Sequence, residues 1–180
     1  MRQAARVLSF QTPGQGLHEI TREVAGWARE QGMTTGLLTA FCRHTSASLV
    51  IQENADPDVR RDIEDWVAQV APESAAYRHQ DEGPDDMPAH LRAALTGVQL
   101  SIPLVEGRLA LGTWQGISLF EHRRRPHRRD VALHLIGDYW LCQMLTVREK
   151  SQAFASAART NMNRRPPSPN SRPSVGSEST

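Results

Sequence analysis

Between Val98 and Gly137 the chain runs through short apolar stretches divided by turn residues. VQLSIPLVEGRLALGTW reads as a hairpin around Glu106-Gly107, QGISLFEH as a further strand and DVALHLIG as the last strand. Strand backbone satisfies its hydrogen bonds on other strands. This half of the chain therefore demands a sheet, and the first half must supply what packs on it.

The first half mixes both kinds of periodicity. ARVLSFQT reads as a strand bordering the sheet, with Val7, Ser9 and Gln11 on one face and Leu8 and Phe10 on the other. In GLHEITREVAGWAREQG, Leu17, Ile20, Val24 and Trp27 recur at helical spacing before a stop at Gly32. TTGLLTAFCRHTSASLVIQE reads as two strands meeting near Arg43 to Ser46, which places His44 at a strand end or bend. NADPDVRRDIEDWVAQVAP starts with Asp56 as cap and Pro57 in the first turn, and carries Val59, Ile63, Trp66, Val67 and Val70 along one stripe of a second helix. MPAHLRAALTG reads as a short helix capped by Asp85 or Asp86 and closed by Gly97, with His90 in its first turns. The expected class is α+β, a mainly antiparallel or mixed sheet with a few helices. The folded domain is expected over residues 1–143, followed by a short helix over 144–160 and a disordered Arg/Pro/Ser tail over 161–180.

Charge narrows the function. The 180 residues carry a formal net charge of +1, but the segment 144–180 has six basic and two acidic residues, leaving −3 to residues 1–143. A mildly acidic body argues against nucleic acid as the main partner. The single lysine, Lys150, lies past the expected core, so the body holds neither a phosphate loop ending in Gly-Lys-Ser/Thr nor a Schiff-base lysine. Cys42 and Cys142 suit neither a disulfide framework nor a CxxC zinc site. No signal-like or membrane-spanning apolar run is visible, so a cytoplasmic protein without a membrane partner is expected.

Three stretches carry the residue types that chemistry needs. HQDEGPDDMPAH, residues 79–90, crowds two histidines and four acids into a loop and a helix start. Such a set suits a divalent cation, zinc where histidines dominate and magnesium where oxygens do. Spacing of four brings Asp86 and His90, or Glu82 and Asp86, to one helix face. The plain alternative is a solvated acidic loop that caps a helix. In CRHTSASLVIQENADPD, His44 is followed by Thr45, Ser46 and Ser48, hydroxyls suited to a phosphate, while Asp56 suits either an anion-binding helix start or a simple cap. GTWQG offers Trp114 as a flat contact surface for a ligand or a subunit, or a β-bulge around a core tryptophan. HRRRPHRR reads as a solvated loop from which one or two arginines can clamp a phosphate.

In order, RHTSASLVIQENADPDVRRD, EGPDDMPAHLRAALTG and GRLALGTWQGISLFEHR resemble the secondary thiamine-phosphate synthase enzyme family, also called the YjbQ family, from about Arg6 to Gly137. The resemblance implies a single α+β domain, a homotrimer and a polar site near subunit boundaries. It also implies a weak capacity to join a pyrimidine pyrophosphate to a thiazole phosphate. The motif positions fall on His44, Thr45, Asn54, Asp56, Asp62, His79, Asp86, His90, Thr113, Trp114, Gln115 and Glu121. The expected assignment makes His44, Glu82, Asp86 and His90 catalytic. Thr45, Ser46, Asn54, Asp56, Thr113, Trp114, Gln115 and Glu121 then bind a small phosphorylated metabolite, and His44, His79, Asp86 and His90 hold zinc or magnesium. The alternatives are a metal-dependent hydrolase or lyase on another metabolite, and a trimeric binding protein without turnover. Past the last strand this chain continues for about forty residues beyond the resemblance.

Overall fold

The computed structural model describes residues 1–139; the helix expected over 144–160 and the tail expected over 161–180 lie outside them. Along the chain come β1 (Arg2–Thr12), β2 (Gly16–Glu19), α1 (Thr21–Glu30), β3 (Thr35–Cys42), β4 (Ala47–Glu53), α2 (Pro57–Val70), α3 (Asp86–Thr96), β5 (Gln99–Val105), β6 (Arg108–Leu109), β7 (Gln115–Glu121) and β8 (His127–Asp138). Five strands form one sheet in the order β1-β8-β3-β5-β6, and three form another in the order β2-β7-β4. Each pairing is antiparallel. The class is α+β, as the sequence leads one to expect.

Alternation builds the core. Leu38, Ala40 and Cys42 of β3, Ile102 and Leu104 of β5, and Val131, Leu133 and Leu135 of β8 face Ala47 and Leu49 of β4 and Ile117 and Leu119 of β7 in one buried cluster. Val24, Trp27 and Ala28 of α1 join it. On the other side of the small sheet, Phe120 and Leu17 pack with Val67 of α2. At the hairpin between β5 and β6, Glu106 (φ 51°) and Gly107 (φ 77°) both take left-handed backbone, the turn that matches strand twist. Between β3 and β8 the facing glycines Gly36 and Gly137 let the backbones approach, since a Cβ on Gly36 would sit 2.3 Å from the Ile136 carbonyl oxygen.

Three expectations need correction. Residues 16–19 are a strand, not the first helical turn, because they pair with Ser118–Glu121 of β7; Leu17 is buried by that strand while Val24 and Trp27 are buried by the helix. The α2 stripe is covered only in part: Val67 is buried, but Trp66 is 56% and Val70 52% exposed. The run HRRRPHRR is not a loop throughout, since β8 begins at His127 and Arg129 is buried.

Candidate metal centre and adjoining cleft

Asp86 begins α3, and His90 follows one turn later on the same face. His79 comes from the loop between α2 and α3, and its Nε2 lies 2.8 Å from Asp86 Oδ2. His90 Nε2 lies 3.4 Å from the same oxygen. One ligand atom from each of the three residues falls within 4.8 Å of the others, a spacing compatible with a single ion. His90 Nδ1 meets the Thr45 carbonyl at 3.0 Å. A carbonyl only accepts, so His90 carries a hydrogen on Nδ1, which leaves Nε2 as the nitrogen that faces the cluster and that a metal would take.

Arg123 and Asp85 frame this group, and the sequence singled out neither as part of it. Asp86 is 2% exposed, and its Oδ1 is ion-paired with Arg123 Nη1. Arg123 Nε donates to Asp85 Oδ2 at 3.1 Å and Nη2 to the Glu82 carbonyl at 2.8 Å. The Arg124 amide also donates to Asp85 Oδ2. Burial pushes the Asp85 carboxyl up, but these donors outweigh it and hold the group below its ordinary value. Asp85 therefore anchors Arg123 and the Arg124 amide, and makes no side-chain cap on α3. The Glu82 side chain is largely exposed, 3.6 Å from Arg123, and lies outside the three-residue cluster.

His44 sits elsewhere. Its Nε2 accepts the Asp130 amide hydrogen at 2.8 Å, so the neutral ring carries its hydrogen on Nδ1 and is not in the ligand cluster. Burial and the charge of Arg129 push its pKa down, which favours that neutral form. His44, Thr45 and His90 line one cleft of about 710 Å³ together with Phe41, Arg43 and Val98. The cleft, and not shared coordination, brings His44 to His90.

The expected phosphate hydroxyls divide. Ser46 Oγ accepts from Arg129 Nη2 at 3.1 Å, and Ser48 Oγ, fully buried, lies 2.9 Å from His122 Nε2. The Thr45 side chain stays exposed. Glu121 is fully buried, taking two hydrogen bonds from Arg129, one from Thr12 and one from the Arg123 amide. Burial pushes Glu121 up, but these donors hold it below its ordinary value. It joins strands and does not line the His44 cleft.

A second group gathers at the other end of β4. Asn54 Nδ2 donates to Glu19 at 3.2 Å, and its amide donates to the Trp114 carbonyl at 3.0 Å. Thr113 and Trp114 form an exposed turn that Gln115 Oε1 closes by accepting the Gly112 amide. Trp114 is 64% exposed, so it is no core tryptophan. Asp56 caps α2 by accepting the Asp58 amide, and Asp62 is exposed on that helix. From Ala47 to Glu53, β4 spans roughly 20 Å at about 3.3 Å per residue, and this group lies at the opposite end of that strand from His44.

Fold and site together define a two-sheet α+β domain with a histidine–carboxylate cluster beside an open cleft. The chain belongs to the UPF0047 protein YjbQ-like family, whose match spans residues 6–138. It is 52% identical to a UPF0047 protein of Synechocystis over 76% of this chain and 94% of that one. Identity to the UPF0047 protein YjbQ of Salmonella typhimurium is 43%, over 74% of this chain and 97% of that one. Among solved structures, an uncharacterized conserved protein of the same family from Clostridium acetobutylicum superposes with a TM-score of 0.65 at 38% identity, covering 74% of this chain and 99% of that one. No helix among the described residues is long and apolar enough to cross a membrane.

Proposed function

We propose that His79, Asp86 and His90 hold a divalent metal ion and that the adjoining cleft takes a small phosphorylated metabolite, making the protein a metal-assisted enzyme. One observation carries this reading: two imidazole nitrogens converge on a single carboxylate oxygen, with the tautomer of one imidazole set by the Thr45 carbonyl. Two nitrogens and one oxygen suit zinc better than magnesium, which prefers an all-oxygen octahedron. Such an ion supplies Lewis-acid polarisation of a phosphoryl or carbonyl oxygen. His44 offers its Nδ1–H to a ligand in the cleft, and Arg43 supplies positive charge at its edge.

Thiamine-phosphate synthesis is then a weak, secondary activity. The cleft favours that order of importance, because Ser46 and Ser48 turn their hydroxyl oxygens to Arg129 and His122 and do not line it. The main reaction is a hydrolysis or elimination on another small metabolite. The Asn54–Trp114 group, too far from the histidines within one chain, serves a neighbouring subunit of a homotrimer in the cytoplasm. Zinc titration followed by calorimetry tests the centre. One ion per chain is expected, with His90→Ala and Asp86→Asn each weakening it at least 100-fold, and wild-type affinity in both variants defeats the reading. Turnover of a metabolite panel faster than that of thiamine precursors supports the order of activities; the reverse ranking overturns it.

A further inference from the structure

The geometry points to Arg123 as the residue that sets which metal this centre accepts, by restricting Asp86 to a single ligand oxygen. The inference rests on the metal reading above and concerns a residue outside the ligand set. Asp86 has two oxygens in different company: Oδ1 is held by Arg123 Nη1, while Oδ2 alone faces His79 and His90. The side chain is 2% exposed, so water has no ready access to replace Arg123 at Oδ1. The guanidinium is itself fixed, since Nε donates to Asp85 Oδ2 at 3.1 Å and Nη2 to the Glu82 carbonyl at 2.8 Å. Three nitrogens of one planar fork thus engage three different residues of the loop. A lysine ammonium, a point charge on a flexible stem, cannot reproduce that geometry.

The consequence is one of coordination. Calcium-class ions take six to eight oxygens and gain from a carboxylate that chelates through both of its own. An Asp86 pinned at Oδ1 offers one oxygen, and its partners at the centre are nitrogens. That combination disfavours large oxygen-seeking ions and suits zinc-class ions with low coordination numbers. Arg123 supplies the exclusion. Its removal frees Oδ1 and lets Asp86 turn both oxygens to a cation, against a background made more negative by Glu82 and Asp85.

The test is the ratio of zinc to calcium affinity, measured by chelator competition on wild type, Arg123→Gln and Arg123→Lys, with apo melting curves for each in EDTA. The expected result is a 10- to 100-fold loss of zinc affinity, the range typical of a lost outer-shell partner. Calcium affinity should hold or rise, so that the ratio shrinks at least tenfold in both variants. A purely structural tether would lower the apo melting temperature and weaken both ions by the same factor, and that outcome overturns the inference. Unchanged zinc affinity in either variant overturns it too. Arg123→Lys keeps the positive charge among the carboxylates and provides a folded protein if Arg123→Gln unfolds. Wild type that binds no zinc at all removes the metal reading itself, whereas zinc binding with an unchanged ratio removes only the role of Arg123.

Discussion

Imidazoles split into two kinds at the level of single residues. His79 and His90 share Asp86 Oδ2 and keep partial exposure, as groups do that must meet a ligand. His122 is 1% exposed, bonded through Nε2 to Ser48, and its Nδ1 has no hydrogen-bond partner among the described residues. Burial and the nearby charge of Arg92 push its pKa from 6.5 down to about 3. The folded state therefore refuses a proton that the unfolded chain accepts. Stability is unaffected above about pH 6.5 and falls as pH drops toward 3, with a slope approaching about 1.4 kcal/mol per pH unit. His44, also shifted down, adds to that slope. In urea unfolding at pH 7, 6 and 5, His122→Gln should flatten the dependence by nearly one proton; parallel curves for variant and wild type would refute the assignment. At the proposed metal centre, His90→Ala should cost about 1 kcal/mol of stability and Asp86→Asn about 3 kcal/mol, because Asp86 is buried against Arg123, and the double variant should bind zinc scarcely worse than either single one, because ligands of one ion act as a unit. Additive losses in the titration would show that they act separately.

Elements show how burial chose among local preferences. Residues 16–20 satisfied a helical spacing, yet β7 has a free edge there, and pairing with it gives Leu17 a place against Phe120 and Val67. Tertiary pairing outbid local periodicity over four residues. Asp56 and Pro57 acted as written, since a cap needs only the two amides that follow it. The pairing of β3 with β8 depends on Gly36, where any Cβ meets the Ile136 carbonyl. Gly36→Ala should therefore destabilise by about 3 kcal/mol through forced separation of two central strands. Chemical denaturation checks this, and a loss below about 1 kcal/mol would show that the sheet yields. On α2, Trp66 and Val70 stay more than half exposed, whatever their periodicity suggested.

Across the whole molecule, β4 is a spacer with one candidate group at each end: His44 to Ser46 before it and Asn54 after it. Leu37 and Phe41 on β3 and Val105 on β5 also leave apolar surface exposed on the large sheet. Both facts suit a closed assembly in which the Asn54–Trp114 group of one subunit approaches the cleft of another. Light scattering at micromolar concentration should give three protomer masses, and a clean monomer would leave the two groups unconnected.

What the sequence by itself determined was the content of most elements and the closeness of Asp86 to His90. Alternation named the strands from β3 onward, and the four-residue step from Asp86 to His90 is a property of any α-helix, so those side chains share a face before tertiary packing acts. Crowding of residue types flagged His79 for the same reason. Tertiary structure alone decided the rest, because those contacts join residues far apart in the chain. It moved His44 away from the His79–Asp86–His90 cluster by giving its Nε2 to the Asp130 amide, 86 residues away, and it buried Glu121 against Arg129. It also took Arg123 from an arginine run that read as a solvated loop and set it on Asp86, 37 residues back. Five arginines in eight residues are alike in sequence; only the fold sets Arg123 over the acidic loop and buries Arg129 against Glu121.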